Sequence, residues 1–136
     1  MVDAESMLVV VPQVANAATD KEQVAPMVAG VQVLPEGLNQ PKAIVIGNGY
    51  FSEKNVEICE AADVTPVEKM KHTLKTKAGR ALYALRKQTV EPGFGIIKSV
   101  MGFRQFLLCG LDNVQIEWTL VCLAWNLKRM AVLRPQ

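Results

Sequence analysis

The chain has 136 residues, 50% of them hydrophobic and 21% charged, which suits one folded domain and excludes a mostly disordered chain. Its longest strongly apolar run, TLVCLAW at 119–125, is far short of the ~20 residues that span a bilayer, and the opening MVDAES has acid where a signal peptide needs base. With a formal net charge of +2, the expectation is a soluble, unexported, cytoplasmic protein with no membrane partner.

Taken in chain order, MLVVV at Met7–Val11 is a short β-branched run closed by Pro12, and it reads as a buried strand. Thr19-Asp20-Lys21-Glu22 has capping-box spacing, and Val24, Met27, Val28 and Val31 follow at helical intervals, so a helix comes next. AIVI at Ala43–Ile46, closed by Gly47-Asn48-Gly49, reads as a second buried strand. Ser52 then opens another helix with Glu53 in its first turn, where acid suits the helix dipole. This β-α-β-α order predicts a partly parallel sheet with right-handed crossovers. Ligands of such sheets bind beyond the carboxyl ends of the strands, here at Gly47–Phe51.

From Val67 onward the reading is helical. AGRALYALRK at Ala78–Lys87 is rich in helix formers, while Pro92, Gly93 and Gly95 interrupt the pattern and predict a kink or break. GFRQFLLCG at Gly102–Gly110 receives no element. Asp112 is expected to cap a last helix from Asn113 to about Leu133, whose middle is apolar nearly all round and therefore expected to be buried. The composition changes most at Asp63–Pro66. The organisation expected is one domain, with a strand and helix part at 1–65 and a basic helical part at 66–136.

Charge is unevenly divided between these parts. Residues 1–67 carry three basic and nine acidic side chains, a net of −6; residues 68–136 carry twelve basic and four acidic, a net of +8. Seven of the twelve lie between Lys69 and Lys87. Such a stretch either neutralises nucleic-acid phosphates or is a solvated helix face. Cys59, Cys109 and Cys122 stand far apart without a C-x-x-C pair, and His72 is the single histidine. A zinc site, a disulfide framework or a Cys-His catalytic pair is thus poorly supported, and the thiols read as buried or inert.

The segment that bears chemistry is YALRKQTVEPGFGIIK at Tyr83–Lys98. On a helix with Glu91 at zero, Lys87 lies at about −40° and Lys98 at about −20°. One carboxylate is then flanked by two ammonium groups. Either this is an intrahelical Glu-Lys pairing, or Glu91 is a metal-binding carboxylate with lysines holding phosphates beside it.

The order Tyr83, two residues, Arg86, four residues, Glu91, six residues, Lys98 resembles the tyrosine-arginine-glutamate-lysine signature of bacterial insertion-sequence DDE transposases. The flanks, KHTLKTKAGRALYALRKQTVEPGFGIIKSVMGFRQFLLCGLDNV and EWTLVCLAWNLKRM, are similar to the C-terminal part of that family over most of residues 66–133. NGYFSEKNVEICEAA resembles its segment after the second catalytic aspartate, and MVDAESMLVVVPQVANAATDKEQVAPM the strand and helix after the first.

The resemblance implies an RNase H-like α/β core and three carboxylates binding two divalent cations, usually Mg²⁺, to cut and join DNA. It matches Asp3 to the first aspartate and Glu91 to the glutamate, both as catalytic and metal-binding residues. Tyr83, Arg86 and Lys98, with the neighbouring Lys87, become the DNA-binding set. At the second aspartate the family typically reads A-D-x-G-Y, whereas Ile46-Gly47-Asn48-Gly49-Tyr50 puts glycine there. The connection at Ala62–Val67 is shorter than usual, Gly93 stands where a larger apolar residue is typical, and the chain starts two residues before Asp3.

The expectation is therefore a truncated, degenerate transposase with an incomplete RNase H-like core. It would bind transposon ends, associate with nucleoid DNA, and lack strand-cleavage activity. The alternative is a non-catalytic protein that occupies DNA or associates with itself or with a full-length transposase.

Overall fold

The computed structural model describes residues 1–17, 19–37, 41, 43–45, 50, 52–66, 81, 84 and 91–134. The chain divides into two compact units, Ala17–Leu85 and Met1–Asn16 with Arg86–Gln136.

In the unit Ala17–Leu85, a 3-10 turn at Asp20–Gln23 runs directly into helix α1 (Val24–Gln32). Thr19 precedes the turn in extended conformation but makes no side-chain capping bond. The expected capping box is thus not built at Thr19, and a tightened 3-10 entry takes its place. Helix α1 buries Val24, Val28 and Val31, the i, i+4, i+7 stripe that the sequence pattern predicts.

Helix α2 (Glu53–Ala61) begins as expected. Ser52 is extended and its Oγ accepts from the Asn55 N–H at 3.2 Å, with Glu53 in the first turn. Its far end is closed by Asp63, a non-glycine residue at φ 56°. The Asp63 N–H donates to the Glu60 carbonyl at 3.1 Å and the Val64 N–H to the Cys59 carbonyl at 2.9 Å, the paired bonds of a Schellman motif.

The sheet is far smaller than the β-α-β-α reading predicts. Strand β1 (Ala43–Ile44) pairs in parallel with β2 (Thr65–Pro66), Ala43 opposite Thr65 and Ile44 opposite Pro66. Pro66 has no N–H to extend the ladder. Ala43 is exposed and Ile44 half-buried, so the second run is no buried strand there, and Ile46 lies outside the described residues. Val24, Val28 and Cys59 form the core of this unit, with Ile44, Tyr50, Ile58 and Ala62 packed against it. The described architecture is mixed and chiefly helical, and no RNase H-like parallel sheet is present among the described residues.

In the other unit, Met7–Val11 joins no sheet, which corrects the first strand. Val2 and Val9 form an isolated antiparallel bridge, and Met7 takes φ 61°. The run's backbone groups are met by side chains of a helix instead. Asn126 accepts from the Val9 N–H and donates to the Val9 carbonyl, both at 2.8 Å. Gln115 accepts from the Val14 N–H at 2.8 Å and donates to the Pro12 carbonyl at 2.7 Å. Two amide side chains thus do what a neighbouring strand would do for this backbone.

Residues 91–99 are helical (α3), so Pro92, Gly93 and Gly95 break nothing within that stretch. Gly93 is buried, and a Cβ built on it would stand 3.7 Å from Trp125 Cζ2. The last helix, α4 (Leu111–Leu133), is 23 residues long, about 34 Å at 1.5 Å per residue. Gly110, at φ 90°, is its N-cap and no side chain caps it; Asp112 stands in the first turn instead. The expectation of a helix buried all round is also corrected. Cys122 and Trp125 are buried, whereas Leu120, Leu123 and Leu127 are more than half exposed. No helix among the described residues is long and apolar enough to cross a membrane.

Candidate active site

Asp3 sits in a closed turn. Its N–H donates to the Leu8 carbonyl at 2.9 Å and its carbonyl accepts from the Met7 N–H at 3.1 Å. The carboxylate is exposed, yet it is engaged: Oδ2 accepts from the Ser6 hydroxyl at 2.5 Å and the Ser6 N–H at 2.8 Å. These bonds, the hydroxyl's first, hold the Asp3 carboxyl below its ordinary value of 3.8, because both stabilise the ionised form. Asp3 therefore closes its own turn in the manner of an Asx motif.

Helix α4 pins this turn. Arg129 Nε donates to the Ser6 carbonyl at 2.8 Å and Trp125 Nε1 to the Met7 carbonyl at 2.9 Å, beside the two bonds from Asn126 to Val9. These positioning residues have no visible signal in the sequence, where Asn126 and Arg129 read only as polar interruptions of an apolar helix. Glu117, also on α4, accepts from the Leu107 N–H at 2.9 Å and the Leu108 N–H at 3.1 Å, ordering the irregular segment before the helix.

Glu91 and Lys98 both lie exposed on α3. Seven helical residues place them on one face, within about 20° of each other and about 10 Å apart along the axis. That separation is too long for a direct ion pair. The opposite face carries Gly93 and the buried Ile97, so packing turns the Glu91 face to solvent. Tyr83, Arg86, Lys87, Gly47, His72 and the basic cluster from Lys69 to Lys87 lie outside the described residues.

Among the described residues, no three His, Cys, Asp or Glu side chains come together as a metal-binding group. Gly47 has no side chain to donate, and one oxygen of the Asp3 carboxylate, Oδ2, already accepts two bonds from Ser6. Among the described residues, this donor set does not supply the three convergent carboxylates that paired Mg²⁺ ions need. The thiols offer no substitute. All three are free; burial pushes Cys59 up and Cys122 up to about 11, so neither is a ready thiolate, and Cys109 is exposed.

The sequence profile described as a transposase DDE domain matches residues 52–131, more than half of the chain, and the chain belongs to that family. No curated protein and no solved structure matches it. The matched span begins at the Ser52 cap and takes in α2, α3 with Glu91 and Lys98, and most of α4; Asp3 and Gly47 lie outside it.

Proposed function

We propose that this chain is a DDE domain of the bacterial insertion-sequence class, carrying the Tyr83, Arg86, Glu91 and Lys98 signature, that binds DNA but no longer cuts it. The observation that carries the reading is a combination within one chain: Glu91 stands on a continuous helix inside the family-matched span, while glycine occupies position 47, where the class has its second aspartate. Removing one of three ligands from a two-cation site leaves the remaining carboxylates without the charge to hold both ions.

In this reading Glu91 is the surviving catalytic-type carboxylate, Asp3 has become a turn-closing residue, and Lys98 faces DNA phosphate on the same helix face. Membership of a DDE family supports an RNase H-like core. A cytoplasmic, nucleoid-associated location follows from DNA binding. The test is nicking of supercoiled plasmid carrying terminal inverted repeats, with Mg²⁺ or Mn²⁺. No nicking above a Glu91→Gln control is expected, and metal-dependent nicking that Glu91→Gln abolishes would overturn the inactivity.

A second reading has its own support in the net charge of +8 over residues 68–136: a non-catalytic protein that occupies transposon ends or joins a full-length transposase. Binding through that charge is phosphate-led, so affinity falls steeply as salt rises. Affinity indifferent to salt would exclude it.

A further inference from the structure

We propose that the exposed face of α3 is a site for unpaired DNA, with Phe94 as the ring on which a base stacks and Lys98 as the contact to its phosphate. This rests on the DNA-binding reading above and adds to it a preference for single strands. Phe94 follows Glu91 by three residues and precedes Lys98 by four. At 100° per residue the three side chains share a sector about 60° wide. An aromatic ring therefore stands between an acid and a base, and it is 41% exposed.

That ring is backed by others. Phe94 and Trp118 are stacked, with 5.7 Å between centroids and 5° between planes. Trp118 also meets Phe103 at 6.2 Å and Phe106, edge-on, at 6.3 Å. Only 6% of the chain is aromatic, yet three of its four phenylalanines and one of its two tryptophans gather here. A gathering of this kind is ordinarily core, but Phe106 is 42% exposed as well. Glu117, next to Trp118, holds the segment after Phe106 through the Leu107 and Leu108 N–H groups, so the rings are ordered before a ligand arrives.

The charges around this shelf choose the occupant. Lys98 lies one turn beyond Phe94 and Arg104 adjoins Phe103, both exposed, while Glu91 at the other end repels phosphate and directs the backbone toward Lys98. Flat rings beside cations match the two parts of a nucleotide, a base with a π-face and an anionic backbone. A duplex hides its base faces, so the shelf separates single strands from duplex, which charge alone does not do.

Fluorescence anisotropy of the full chain tests this with three probes: a thymine oligonucleotide of about 15 nucleotides, an abasic strand of the same length, and a duplex. The thymine strand is expected to bind about tenfold tighter than the abasic one, which carries the same phosphates; Phe94→Leu should remove most of that advantage and Phe94→Tyr keep it. Equal affinity of wild type for the two strands, which needs no variant, overturns the stacking site. So does an undiminished advantage in a Phe94→Leu protein whose circular dichroism matches wild type. In either case, duplex binding that falls with salt leaves the DNA-binding reading standing. Absence of binding to all three probes overturns both.

Discussion

Asp63 and Asp3 show how single residues close the local structure. Asp63 holds the left-handed position that ends α2, where an L-residue costs about 1–2 kcal/mol and a β-branched one is a strong outlier. Asp63→Val should destabilise the protein by about 1–2 kcal/mol, read by urea denaturation. Asp3 gives a pH signature. Its carboxyl is held below 3.8 in the fold by Ser6, so its contribution is present above 3.8 and is lost as pH falls through the lower, folded value. The melting temperature of wild type should fall more below pH 3.8 than that of Asp3→Asn, which has no charge to lose; parallel profiles would remove Asp3 from the turn's stability.

At the level of elements, the positions of the helices were legible, whereas of the two expected strands only the second is present, shortened to Ala43–Ile44. Ser52 and Glu53 announce α2 because capping chemistry is local. The Val24, Val28 and Val31 stripe announces α1 for the same reason. MLVVV misleads because a β-branched run fixes only an extended backbone, and the partner for that backbone is chosen elsewhere in the chain. Here the choice is made by Asn126 and Gln115, more than 100 residues away. Asn126→Leu leaves both polar groups of the half-buried Val9 unpaired and should cost about 2 kcal/mol or more, with faster hydrogen exchange at the Val9 amide.

Gly93 and Gly95 leave the helix intact over residues 91–99, while the turn before Pro92, where a kink is expected, lies outside the described residues. Gly93→Ala should stabilise that helix by about 0.5–1 kcal/mol, because the added methyl meets Trp125 at an ordinary 3.7 Å. A lower melting temperature would mean that the contact is already tight.

For the molecule as a whole, the transposase family was legible in the sequence, and the match over residues 52–131 bears out that family. Membership follows from that match, while the proposed loss of cleavage rests on positions outside the matched span, Asp3 and Gly47. The glycine at position 47 is visible in the sequence. The sequence does not announce that Asp3 Oδ2 accepts two bonds from Ser6, since that depends on a turn pinned by Trp125, Asn126 and Arg129 from the far end of the chain. Nor could an all-round apolar α4 reveal which of its faces stays exposed.

The most direct measurement is a calorimetric titration of the folded protein with Mn²⁺, run alongside Asp3→Asn and Glu91→Gln. The account predicts weak, unsaturated heats that are the same in all three proteins. Two saturable ions bound per chain, lost in both variants, would contradict it.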